Sequence, residues 1–169
     1  MKGYVLSVER MIAAAPEKIF DVLADATRHS AIDGSGMLQG ATSAAENSDG
    51  PQPLTLGTTF GMSMKMLRLP YSTANRVVEF EENKRIAWQT GPTGFMSRVV
   101  AGRIWRYELE PVVGGTLVRE SWDITPDHQR VLLKLGDIYS SKTRRDMERT
   151  LERLSRLVTG EKGHEISPV

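Results

Sequence analysis

Four side chains in this 169-residue sequence combine a reactive type with a telling position: Glu120, Arg76, His29 and Asp33. Glu120 lies between Val118 and Trp122 in the run TLVRESWDI. In an extended chain those three share a face. A carboxyl held among apolar groups is pushed towards its neutral form and can act as an acid or a base. Arg76 has the parity of Val78 and Phe80 in STANRVVEF, and an inward guanidinium would hold an enolate or carboxylate. Plainer readings compete. The two groups can simply pair with each other, or a bulge can reverse a strand's parity and turn Glu120 to water. With the opposite parity Arg119, Ser121 and Asp123 face inward, and the hairpin register after the Pro-Val-Val-Gly-Gly run at 111–115 decides between them. His29 and Asp33 come four apart, just before Gly34-Ser35-Gly36, so on a helical turn they share a face and can form a histidine–carboxylate pair. A histidine serving as a structural hydrogen-bonding group ranks ahead of that pair.

Other chemistries lack their residues. His128 and His164 lie far from His29, no H-E-x-x-H spacing occurs, and cysteine is absent, so no metal site, thiolate nucleophile or disulfide is expected. Gly34, Gly36 and Gly40 are spaced one residue too far for a dinucleotide fingerprint, and no convincing helix follows them. Neither G-x-S-x-G nor a P-loop is present, and no cofactor is expected.

The bulk composition narrows the partners. Twenty-two basic and twenty-one acidic side chains leave a net charge of +1, which argues against a nucleic-acid partner. No apolar run reaches the length of a membrane span, and the N-terminal residues alternate where a signal peptide would be uniformly apolar. A cytoplasmic protein is the expectation.

The elements that must position the four residues follow from periodicity. Tyr4, Leu6, Val8 and Ile12 mark a first strand. Pro16 and Glu17 then open a short helix with Ile19, Phe20 and Leu23 on its apolar face, followed by a turn over 27–32. A brief strand is expected at 37–41. Residues 43–57, rich in Ser, Asn, Gly and Pro, read as a loop of the length that serves as a lid or portal. Strands continue through TTFGMSMKML, STANRVVEF, RIAWQT, RIWRYELE and TLVRESWDI, each with one apolar and one charged face and turn residues between them. That is an antiparallel meander covered on one side. Residues 127–139 read as helical, with Asp127 at the start and Gly136 as a kink or break. The closing helix, 142–158, carries Met147, Leu151, Leu154 and Leu157/Val158 on one stripe, with Gly160 at its stop. The stripe needs a partner surface, and the sheet is the candidate. The expected class is α+β: a curved sheet of about six to seven strands around a long C-terminal helix, with two short helices after the first strand. One domain spans 1–160, and 161–169 form a mobile tail.

At this level the chain resembles the Bet v 1-like, START-related superfamily, and within it the polyketide cyclase/dehydrase and lipid-transport group. The likeness rests on VERMIAAAPE at 8–17 leading into IFDVLAD at 19–25, and on RHSAIDGSG at 28–36. It rests further on Val78-Glu79-Phe80 before Arg85-Ile86-Ala87-Trp88, on Gly115-Thr116, and on the helix from Met147 to Leu157. The resemblance implies a helix-grip fold with a ligand cavity between sheet and last helix. It also implies binding of lipids, polyketides, sterols or similar molecules, with cyclisation or dehydration in some members. No catalytic motif is shared across that group, so no catalytic residue is carried over.

Candidate lining residues are the row Phe60, Met62, Met64 and Met66, with Val78 and Phe80, the aromatic set Trp88, Trp105, Tyr107 and Trp122, and Met147 and Leu151 of the closing helix. Methionine is adaptable and polarisable, which suits an irregular apolar ligand, although ordinary core packing accounts for some of these side chains. The leading expectation is binding of a small hydrophobic ligand. A cyclase/dehydratase using Glu120, Arg76 or His29 comes second, without metal or nucleotide. A co-chaperone-like interaction module comes third. No motif names the ligand or sets an oligomeric state.

Overall fold

The structure is a computed structural model, and it describes residues 4–44, 53–66, 68–92, 102–127, 130–135 and 137–160. Strand β1 (Val5–Ile12) leads into helix α1 (Pro16–Leu23), a 3-10 turn (Ala26–Arg28) and helix α2 (His29–Ile32). Among the described residues six further strands follow: β2 (Leu38–Ala44), β3 (Thr59–Met66), β4 (Leu69–Glu81), β5 (Arg85–Pro92), β6 (Arg103–Val112) and β7 (Gly115–Asp123). Helices α3 (Arg130–Leu135) and α4 (Asp137–Thr159) close the chain. The seven strands form one antiparallel sheet in the order β1-β7-β6-β5-β4-β3-β2. This is the α+β helix-grip arrangement, with α1 and α2 running between the two edge strands and α4 packed on β1 and β7.

Local chemistry explains each element. Pro16 occupies the first turn of α1, where its missing N–H is no loss, and Ile19, Phe20, Val22 and Leu23 are buried from that helix. Leu6, Val8 and Ile12 bury from β1, while Val118, Glu120 and Trp122 bury from β7. Met147, Leu151 and Leu154 meet them from α4. Each apolar side chain so buried contributes about 1.5–3 kcal/mol of transfer free energy. Gly160 ends α4 at φ +73°, its N–H bonded to the Arg156 carbonyl.

The opposite face of the sheet is a lattice of ions. Glu9 pairs with Arg119 at 2.6 Å, and Arg119 reaches Glu108 at 3.8 Å. Arg106 grips Glu79 through Nη2 at 2.5 Å and Nε at 3.0 Å. Glu79, Ala87 and Arg106 are cross-strand neighbours, and the ion pair covers Ala87 completely.

Three expectations are corrected by this architecture. Arg76 is exposed and does not point inward with Phe80. The pairing steps from Val77↔Trp88 to Glu79↔Ala87, so Val78 is the extra residue of a β-bulge and the parity changes there. Before the bulge Asn75 and Val77 are buried; after it Phe80 packs edge-on against Phe20 at 5.4 Å. Second, β2 runs to Ala44, and Leu54 is fully buried with its N–H on the Ala24 carbonyl. The expected 43–57 loop is therefore shorter, and its central part, 45–52, lies outside the described residues. Third, α4 begins at Asp137, five residues earlier than the sequence pattern indicates, and at 23 residues is about 35 Å long. Asp127 is buried with its carboxylate on Arg103 Nε at 3.1 Å, and its carbonyl accepts from the N–H of Arg130, the first described residue of α3; residues 128 and 129 between them lie outside the described residues. Gly136, His128, His164 and the tail after Gly160 fall outside the described residues. No described helix is long and apolar enough to cross a membrane.

Candidate functional site

The register between β6 and β7 sets Tyr107 directly opposite Glu120. Both are buried, at 4% and 2% exposure, and the Tyr107 hydroxyl donates to Glu120 Oε1 at 2.9 Å. Glu120 Oε2 has no hydrogen-bond partner among the described residues. Burial pushes the Glu120 carboxyl up to about 8; the Tyr107 hydrogen bond opposes that rise and the negative charge of Asp33 adds to it. Burial and the neighbouring Glu120 likewise hold the Tyr107 phenol well above its usual value. At neutral pH the carboxyl is protonated, with Oε1 accepting from tyrosine and Oε2 carrying a hydrogen to donate.

An aromatic wall adjoins this pair. Trp88 on β5 lies 5.5 Å from Tyr107 and 5.9 Å from Phe60, ring centre to ring centre. His29 stacks on Trp88 at 4.9 Å and 21°. Its Nε2–H donates to the Leu23 carbonyl at 2.9 Å, which leaves Nδ1 as the acceptor nitrogen. Burial lowers the imidazole pKa, against the raising effects of that backbone bond and of Asp25, so His29 is neutral near pH 7. No His29–Asp33 pair forms. Asp33 accepts instead from the Ser35 N–H and hydroxyl and from the Leu38 N–H, closing the turn that follows α2.

Helix α4 forms the roof. Gly34 sits so close to it that a Cβ there would lie 2.0 Å from the Asp146 carbonyl oxygen, and its N–H donates to Thr150 Oγ1 at 3.0 Å. Arg153 adds a hydrogen bond to the Asp33 carbonyl. On the far wall Asn75 is spoken for: its amide donates to the Phe60 carbonyl at 3.3 Å and its oxygen accepts from Thr90 at 2.6 Å.

Between these walls lies a cavity of about 180 Å³. Of the sequence candidates, Phe60, Met62, Met64, Trp88, Trp105 and Tyr107 line it from the strands. Met147, Glu120, His29 and Asp33 line it as well. Trp122 and Leu151 are buried in the core beside it, Phe80 and Val78 lie along β4 away from it, and Arg76 is on the outer face. Met66 belongs to β3, but its side chain is outside the described residues. Sequence reasoning missed Thr73 and Asn75, which share β4's inward parity before the bulge, and Thr90 two residues beyond Trp88. It also missed Asp146 and Thr150, whose polarity reads as the solvent face of α4. The alternation Thr73-Asn75-Val77 was the available signal for the first two.

A curved antiparallel sheet closed by a long C-terminal helix, with an apolar cavity between them, defines a protein of the Bet v 1-like, START-related superfamily. The chain belongs to the polyketide cyclase/dehydrase and lipid transport family, whose model matches residues 5–159. It is 33% identical over 113 residues to the uncharacterized protein Rv0088 of Mycobacterium tuberculosis, a match spanning 66% of this chain and 44% of that relative's length. The crystal structure of Ara h 8.0201 superposes with a TM-score of 0.66 at 15% identity, over 93% of this chain and 98% of the other. The solution structure of the polyketide-cyclase-like protein Cgl2372 from Corynebacterium glutamicum matches with a TM-score of 0.58 and 20% identity over the whole of both chains.

Proposed function

We propose that this protein binds a small hydrophobic ligand in the cavity between the sheet and α4. The observation that carries the reading is an apolar space of about 180 Å³ with Glu120 at its edge, whose buried Oε2 has no hydrogen-bond partner among the described residues. An engineered apolar cavity of about 150 Å³ takes up benzene, so this volume suits a single ring with a short substituent. Native mass spectrometry of protein purified from its own host tests it: a co-purifying small molecule at near-unit occupancy is the expected result. Loss of that molecule from a variant with the cavity filled locates it.

A second reading is supported by the same lining. A neutral carboxylic acid and a neutral imidazole on one cavity hold the protonation states that a dehydration needs. Glu120 would give its proton to a departing hydroxyl as the C–O bond breaks, and His29 Nδ1 would take a proton from the adjacent carbon as the C=C bond forms. Water leaves, and the proton on His29 must return to Glu120 for the next turn. Such an enzyme would lose turnover on Glu120→Gln while keeping affinity for its substrate. The interaction-module reading rested on a filled interior and has no such support.

A further inference from the structure

We infer that the cavity selects a neutral ligand that offers a hydrogen-bond acceptor, such as a ketone or aldehyde carbonyl, to Glu120, and that it rejects carboxylate-bearing molecules such as fatty-acid anions. This rests on the binding reading above and narrows the class of ligand.

Three observations converge on it. None of the described side chains lining the cavity is lysine or arginine, whereas three, Asp33, Glu120 and Asp146, are acids. The other polar groups are largely committed. Asn75 and Thr90 bond to each other, and the Asp33 carboxylate is held by Ser35 and the Leu38 N–H. Asp146 turns to Lys142 at 2.5 Å and to Arg149 at 3.7 Å, on the outer side of α4. The Tyr107 hydrogen goes to Glu120 Oε1. Glu120 Oε2 stands apart as a buried lining oxygen with no partner among the described residues. Protonated, it is a buried donor that has no acceptor among the described residues.

Electrostatics decides between acceptors. The titratable and charged groups around Glu120 are Tyr107 on β6, His29 on α2, Asp33 from the turn after α2, and Asp146 on α4. Among charged groups, the one that acts on the Glu120 carboxyl is Asp33, and it acts in the direction of like charge. A ligand carboxylate at this end would be a desolvated anion with no facing cation, and such an ion carries a large burial penalty. A carbonyl oxygen accepts the same hydrogen without bringing a charge.

Three probes of matched size test this by calorimetric or NMR titration at pH 6.5: ethylbenzene, acetophenone and benzoate. Acetophenone is expected to bind at least tenfold more tightly than benzoate. Glu120→Leu should weaken acetophenone about tenfold while leaving ethylbenzene unchanged or tighter, the size expected for one hydrogen bond. Raising the wild-type protein to pH 9.5 ionises Glu120 and should weaken acetophenone similarly with little effect on ethylbenzene, an arm that stands even if the leucine variant does not fold. Benzoate binding as tightly as acetophenone, or acetophenone indifferent to both changes while ethylbenzene binds, overturns this inference alone. Failure of all three probes to bind overturns the cavity reading and this inference with it.

Discussion

Glu120 and Tyr107 face each other across the β6–β7 pair with 2.9 Å between hydroxyl and carboxyl oxygens, and the second carboxyl oxygen has no partner among the described residues. A buried acid held at about 8 binds a proton in the folded chain over a range where the unfolded chain, near 4.5, has released it.

The first prediction follows from that difference. The carboxyl's contribution to stability is fully present below pH 4.5 and is lost as the pH rises towards 8. Glu120→Gln keeps the shape and removes the titration. The wild-type stability relative to this variant should fall by about 1.4 kcal/mol per pH unit across that window and level off above it. Urea unfolding at a series of pH values measures this, and parallel curves for the two proteins contradict it.

His29 titrates in the opposite sense. Its pKa is lowered by burial, so its contribution is present above pH 6.5 and is lost as the pH falls through the depressed folded value. His29→Phe retains a ring against Trp88 but removes the donor to the Leu23 carbonyl. It should cost about 1–3 kcal/mol at pH 7.5 and less as the pH is lowered. A cost that does not change with pH would show that the imidazole is not held neutral.

How far the sequence could reveal this site depends on where the strands are regular. Strand β7 pairs with β1 and β6 without a bulge, so Val118, Glu120 and Trp122 share one face as their alternation in TLVRESWDI indicates, while which face turns inward depended on the hairpin register. In β4 two consecutive valines satisfy either parity, and the bulge at Val78 hid Arg76's outward direction and Asn75's inward one. Polar residues that pair inside, such as Asn75 with Thr90, carry no hydrophobic signal. The same holds for Thr150, which looks like surface helix until Gly34 is packed on it. The fold itself survived these local errors because a run of alternating strands joined by turn residues, followed by one amphipathic helix, leaves little choice of architecture.

The bulge also separates two neighbouring substitutions. Arg76→Ala should change stability by no more than about 0.5 kcal/mol and leave ligand uptake intact. Asn75→Ala breaks a buried hydrogen-bonded pair and should cost about 1–3 kcal/mol, measured by the same unfolding curves. Equal effects would place the parity change elsewhere.

Gly34 and Gly36 make a second contrasting pair. A methyl group at 34 meets the α4 backbone at 2.0 Å and 2.6 Å, whereas at 36 it meets open space and only the φ of +69° opposes it. Gly36→Ala should cost about 1 kcal/mol. Gly34→Ala should cost at least about 3 kcal/mol, since helix backbone rather than a side-chain tip must move. Thermal unfolding ranks them, and the reverse order would mean that the turn after α2 is not clamped to α4.

The most direct test of the account is whether the space beneath α4 takes up an apolar molecule. Ethylbenzene titrated into the wild-type protein should shift the indole signals of Trp88 and Trp105, which line the cavity, and leave those of surface residues alone. Met64→Trp, which fills the cavity from β3, should keep the folded spectrum and abolish the shifts. Unchanged binding in that variant, or no binding in either protein, would contradict the account.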